Sequence, residues 1–154
     1  MQPIIRIQNQ DFSLQTEYDA LLAAGGNTGA VVGFTGLVRD HDTDTRLSAM
    51  FLEHYPGLTE SEIARIIQTA SSRWPLTGCT VIHRVGRLNA NEQIVLVLAA
   101  SEHRKAAFAA AEFIMDYLKT EAPFWKKEIF SDGLESWVEA KKTDQTALEK
   151  WSSA

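Results

Sequence analysis

The chain has 154 residues, 45% of them apolar, and a formal net charge of -5. That length and composition suit one domain with a real core, and the acidic balance argues against a general nucleic-acid binder, which carries a net basic surface. A single cysteine, Cys79, excludes an internal disulfide framework and a multi-cysteine metal site, and it fits a reducing compartment.

Ile4, Ile5 and Ile7 predict a short first strand, and Ser13 an N-cap for a helix through Leu22, ended by Gly25-Gly26. Ala30 to Val38 is β-rich, and its Gly33 and Gly36 point to a bulge or a close backbone approach. Asp40 to Arg46 reads as a polar loop, and Leu47 to Tyr55 as a strand closed by Pro56-Gly57. Thr59 with Glu62 has the spacing of a capping box, predicting a helix to about Trp74. Thr80 to Val85 and Gln93 to Ala100 are apolar runs that read as a hairpin turned at Asn89-Ala90-Asn91. Ser101 is expected to cap a long helix to about Thr120, which Pro123 prevents from continuing. Two short strands, Trp125 to Phe130 and Ser136 to Ala140, flank Asp132-Gly133, and a short helix is expected from Asp144 to Trp151. Strands joined by hairpins and mixed with helices favour an α+β fold with mostly antiparallel sheet over a doubly wound one. Residues 1–154 are therefore read as one domain. The first residues lack the apolar core of a signal peptide, and no apolar run approaches the roughly 18 residues of a membrane span, so a soluble, cytoplasmic protein is expected.

Three basic segments carry the candidate chemistry. Ser101-Glu102-His103-Arg104-Lys105 places cations at a predicted helix start, where the helix dipole disfavours them unless an anion binds; a solvated basic patch is the plain alternative. Lys119 and Lys126-Lys127 lie on either side of Pro123, with Phe124 and Trp125 available to exclude water. A lysine beside another cation, or partly desolvated, has a lowered pKa and can serve as nucleophile or proton carrier; ordinary surface lysines are the alternative. Arg39, with His41 close by, ends the Gly-rich strand and suits bidentate recognition of phosphate or carboxylate, or equally a surface salt bridge. The run DHDTD lacks a calcium-loop pattern, so no metal is assigned. Cys79, His54 and His83 read as packing or surface residues.

Helix geometry constrains how these segments combine. His103 and Lys119 are separated along one predicted helix by about 24 Å, and Arg104 and Lys119 by about 22 Å. One small ligand does not bridge both ends within a single chain. Either two sites exist, or a second copy brings His103 and Arg104 beside Lys119, as in a symmetric homodimer with composite pockets.

The segments FTGLVRDH, LEHYPGLTE, RWPLTGCTVIHRVG, SEHRKAAF, FIMDYLKTEAPFWKKE and WVEAKKTDQ, in this order, together resemble the molybdopterin synthase catalytic subunit family. The resemblance implies an α/β hammerhead-type fold with a small β subdomain and a homodimer at the core of a heterotetramer. It implies a sulfurtransferase without a cofactor of its own. Its partner is a small ubiquitin-like sulfur-carrier subunit ending in a Gly-Gly thiocarboxylate, and its substrate is cyclic pyranopterin monophosphate. Two sulfur transfers give the molybdopterin dithiolene, a step of molybdenum cofactor biosynthesis.

By the same resemblance, Lys119 matches the main catalytic lysine beside the carrier tail, and Lys126 a second essential lysine. Arg39, His103 and Arg104 match substrate contacts, the last two given across the dimer. Leu37, Val38, Lys127 and Glu128 match neighbouring pocket positions, and Phe34 and Met115 apolar walls. Two positions depart from the family pattern: Leu37 stands where lysine is frequent, and Lys141 where arginine is common, which keeps the charge but loses the bidentate fork. Competing expectations are a non-catalytic scaffold that holds a carrier tail or phosphate, and a single-stranded nucleic-acid binder stacking bases on Phe124 and Trp125.

Overall fold

The structure is a computed structural model that describes residues 1–42, 45–138 and 142–152. In chain order the elements are β1 (Ile4–Gln8), α1 (Leu14–Ala23), β2 (Ala30–Leu37), β3 (His41–Asp42), β4 (Thr45–His54), α2 (Leu58–Arg73) and β5 (Gly78–Arg84). There follow β6 (Gly86–Asn89), β7 (Gln93–Ser101), α3 (Arg104–Leu118), β8 (Phe124–Phe130), β9 (Glu135–Val138), α4 (Lys142–Ala147) and α5 (Glu149–Ser152).

The described strands form two sheets. The first has the order β1-β5-β7-β2, and only its β1–β5 pair is parallel. Its central strand β7 is buried on both faces, which is why it reads as an unbroken apolar run. Residues alternate between faces. Val95 and Val97 of β7, with Cys79 and Val81 of β5, meet Ile63, Ile66 and Ile67 of α2 and Phe113 and Ile114 of α3. Leu96, Leu98 and Ile82 point the other way, against Phe12, just before α1, and Leu21 of α1. In the second sheet β4 is central, flanked by β6 and β8, with β9 beyond β8 and β3 folded back on the start of β4. Its inner face contributes Met50, Leu52 and Leu88 to a smaller core around Val38. The architecture is thus α+β with mostly antiparallel sheet.

Several local expectations are corrected. In the polar segment after Arg39, His41–Asp42 forms a short strand antiparallel to the start of β4, with His41 opposite Arg46. The α2 cap is Gly57, whose N–H donates to Glu60 Oε1 at 3.1 Å. Glu62 binds Arg65 instead, and the Thr59 hydroxyl donates to the Tyr55 carbonyl. The two apolar runs pair antiparallel as β5 and β7, but the Asn89–Asn91 turn joins β6 to β7, because the chain between them forms β6 on β4 of the second sheet. Ser101 remains in β7, buried, donating from Oγ to the Pro75 carbonyl at 2.6 Å; the α3 cap is His103. The end of the strand expected to Ala140, the Lys141 departure, and the latter part of the DHDTD run lie outside the described residues.

The Ser13 cap stands as expected, its Oγ accepting from the Thr16 N–H. The register of β2 against β7 shifts between Gly36 and Leu37. A Cβ on Gly36 would stand 2.7 Å from Val95 Cγ1, so a side chain there would push β2 off the sheet. The C-terminal α5 is fastened to α3: Trp151 packs edge-on against Trp74 and Phe113, and its Nε1–H donates to Asp116 Oδ2 at 2.7 Å.

Candidate functional site

Where the two sheets and the C-terminal end of α3 meet, a cavity of about 310 Å³ opens to solvent. Three cations line it: Arg39 from the segment after β2, Lys119 at the C-cap of α3, and Lys126 from β8. The chain places them by simple rules. The helix stops at Leu118, so Lys119 sits at a C-terminus, where a cation suits the dipole. In β8 alternation sends Phe124, Lys126 and Glu128 to the inner face, and Lys126 stands opposite Leu52 and Val138.

Apolar walls surround the cations. Phe34, Leu37 and Met115 line the cavity, together with Ile94, Leu118 and Phe124. Leu37 is 53% exposed and forms the rim. A smaller recess of about 90 Å³ adjoins, sharing Leu37, Arg39, Lys119 and Lys126 and adding the buried Glu128. Asp144 of α4 reaches the larger cavity. Three cations against the carboxylates of Asp144 and Glu128 leave the cleft and its recess with an excess of positive charge between low-dielectric walls, a setting that favours small anions even in an acidic protein.

Not every expected residue is here. Val38 is 1% exposed and holds the site from behind: its N–H donates to the Glu92 carbonyl, and its carbonyl accepts from the Asn91 N–H. Lys127 lies on the opposite face of β8. There it pairs with Glu135 at 3.3 Å and covers the rings of Phe51 and Trp137. Trp125 shares that outer face, so it does not shield the cavity beside Phe124, and the two rings offer no common stacking platform. His103 and Arg104 stand at the far end of α3, whose 15 residues separate them from Lys119. Within one chain the structure gathers Arg39, Lys119 and Lys126 and leaves His103 and Arg104 apart.

Two titratable cavity residues lie outside the candidate set: His83, which reads as packing or surface from the sequence, and Asp144. His83 shares a face of β5 with Cys79 and Val81, and that alternation was the available signal. Its ring stacks on Phe124, with centroids 3.9 Å apart at 19°. Burial, aided by the nearby Lys119 charge and opposed by a bond to the Arg84 carbonyl, pushes its pKa down to about 4. Asp144 gave no signal, because nothing in its neighbourhood shows that α4 returns to the cavity. Burial pushes the Cys79 thiol up to about 12, so it is no thiolate nucleophile near neutral pH. Among the described residues, no group of three or more His, Cys, Asp or Glu side chains is arranged to hold a metal. No described helix is long and apolar enough to cross a membrane.

Comparison with known proteins places this architecture. A family model described as MoaE protein matches residues 7–121. The chain is 56% identical over 153 residues to the molybdopterin synthase catalytic subunit of Mesorhizobium japonicum, covering 99% of this chain and 95% of that one. Its structure resembles the molybdopterin biosynthesis MoaE protein from Burkholderia ambifaria, with a TM-score of 0.85, 49% identity, and 99% and 100% of the two chains covered. It also resembles the molybdopterin synthase from Staphylococcus aureus, with a TM-score of 0.80 and 31% identity over 86% of this chain and 95% of that one. With a family match across most of its length and a relative more than half identical end to end, this chain belongs to the MoaE protein family.

Proposed function

We propose that this chain is the sulfur-transferring catalytic subunit of a molybdopterin synthase, with residues 1–154 acting as one domain in the cytoplasm. A small ubiquitin-like carrier inserts its C-terminal Gly-Gly thiocarboxylate into the cavity, and cyclic pyranopterin monophosphate supplies the acceptor carbons. The reading's main support is the convergence of Arg39, Lys119 and Lys126 on one cavity with apolar walls, in a member of this family.

The chemistry asks for what these side chains offer. A thiocarboxylate tail and a cyclic phosphate are both anions, and both approach a site that already concentrates positive charge. Lys119 stands nearest the incoming tail and holds or moves the proton at the reacting carbonyl. Lys126 balances the negative charge that develops as sulfur attacks the pterin. Arg39 orients the phosphate through paired N–H donors. Phe34 and Met115 exclude water around the extended tail. Glu128 shapes the inner recess, and Leu37 and Val38 set the rim and its backing. In each transfer the thiocarboxylate sulfur bonds to a pterin carbon, water then cleaves the acyl–sulfur bond so that the carrier leaves as a carboxylate, and two transfers build the dithiolene. The described cavity lining holds no cysteine, and in this reading the sulfur arrives on the carrier.

His103 and Arg104 join the substrate site from a second copy, giving a homodimer that binds one carrier at each end. In this reading Lys127 contributes to the outer surface of β8. The test is reconstitution: the purified chain, thiocarboxylated carrier and cyclic pterin are combined, and dithiolene product is measured. Product at a rate dependent on this chain is expected. Tight carrier binding without product, where a known synthase works, would reduce the protein to a scaffold.

A further inference from the structure

His83 is a cavity residue with no part in the mechanism above. Its Nδ1 lies 2.8 Å from the Arg84 carbonyl oxygen. A carbonyl only accepts, so Nδ1 carries the proton and Nε2 keeps its lone pair. Two restraints fix the ring: the bond to Arg84, and the near-parallel stack on Phe124. Arg84 is itself immobile, because it is buried and donates to the Asn9 and Gln93 carbonyls, both at 2.9 Å. The groups that face His83 electrostatically are Lys119 from the end of α3 and His54 from β4. A rigid neutral ring with a free acceptor nitrogen, held beside a lysine in an anion pocket, is more than packing requires.

We propose that His83 is a positioning residue for Lys119: in the loaded site its Nε2 accepts a hydrogen bond from the Lys119 amine and fixes where that amine stands as the carrier tail arrives. This deepens the sulfur-transfer reading and rests on it. The imidazole stays neutral because it is enclosed, so it adds no positive charge to repel Lys119. It takes no proton from the ammonium, being a far weaker base. Its role is to remove freedom from a long side chain whose amine must meet one carbonyl.

Three substitutions separate this role from packing. His83→Phe keeps the stack on Phe124 and loses both nitrogens. His83→Asn keeps a donor for the Arg84 carbonyl and loses the distal acceptor. His83→Gln places an amide acceptor near the Nε2 position. The proposal expects kcat to fall about tenfold or more in Phe and Asn, with the KM for carrier little changed. It expects His83→Gln to recover most of that loss. Activity that simply tracks melting temperature, with folded Phe and Asn variants fully active, would overturn it. An arm independent of turnover uses NMR titration of the His83 ring in the wild type and in Lys119→Met. Removing the charge should raise the midpoint, and the wild-type ring should show an unprotonated Nε2 at neutral pH. An unmoved midpoint, or a proton on Nε2, overturns the proposal. Wild-type protein that transfers no sulfur would instead sink the sulfur-transfer reading, and the titration would still decide whether His83 and Lys119 interact.

Discussion

Acidification should weaken this fold through one half-buried ring, His83. In the folded chain the His83 pKa lies near 4, and an unconstrained imidazole titrates near 6.5. The unfolded chain therefore binds a proton that the folded chain refuses, and stability falls as pH drops from about 6.5 toward 4. The full displacement corresponds to about 3 kcal/mol, and the part reached by pH 5 to about 2 kcal/mol. The assay is urea denaturation of wild type and His83→Gln at pH 7 and pH 5. Other titrating groups are common to both proteins and cancel in the comparison. The substitution lowers stability at pH 7 through lost packing, so the informative quantity is the loss between the two pH values. Wild type should lose about 2 kcal/mol more than the variant over that interval. Equal losses would mean that His83 is not held neutral by burial, and the argument from its enclosure would fail.

Gly29→Ala should destabilise the protein by more than about 2 kcal/mol, since the new Cβ would stand 2.2 Å from the Glu102 carbonyl oxygen; thermal melting checks it. Trp151→Phe keeps the aromatic packing but strips the donor from Asp116, so about 1.5–3 kcal/mol should be lost in denaturation. Mixing an Arg104→Ala chain with a Lys119→Ala chain should restore part of the activity that each lacks alone, because a heterodimer holds one intact composite pocket. No rescue despite confirmed subunit exchange would refute shared pockets.

What the sequence made legible followed from local physics. Apolar and β-rich runs located the longer strands, and Pro123 and Ser13 marked helix ends, because each acts within a few residues. The capping errors share a cause. Thr59 and Ser101 have the right side chains for caps, but their hydroxyls are used elsewhere, Thr59 on the Tyr55 carbonyl four residues back and Ser101 on the Pro75 carbonyl far away in sequence. The pairing of β6 with β4 in the second sheet was illegible because a four-residue strand gives no signal of which neighbour it will pair with. At the site, the lysines flanking Pro123 were visible as a cluster, but their faces were not separated. Alternation within β8 sends Lys126 inward and Lys127 outward, so adjacent residues have different fates. The same rule, applied to β5, would have brought His83 forward.

In the proposed function the cavity built by Arg39, Lys119 and Lys126 carries out the transfer rather than merely holding a ligand. Single-turnover sulfur transfer from thiocarboxylated carrier, compared between wild type and Lys119→Ala with carrier affinity measured in parallel, tests it most directly. Loss of transfer by about a hundredfold or more, with carrier still bound, is the predicted result. Full transfer by Lys119→Ala would contradict it.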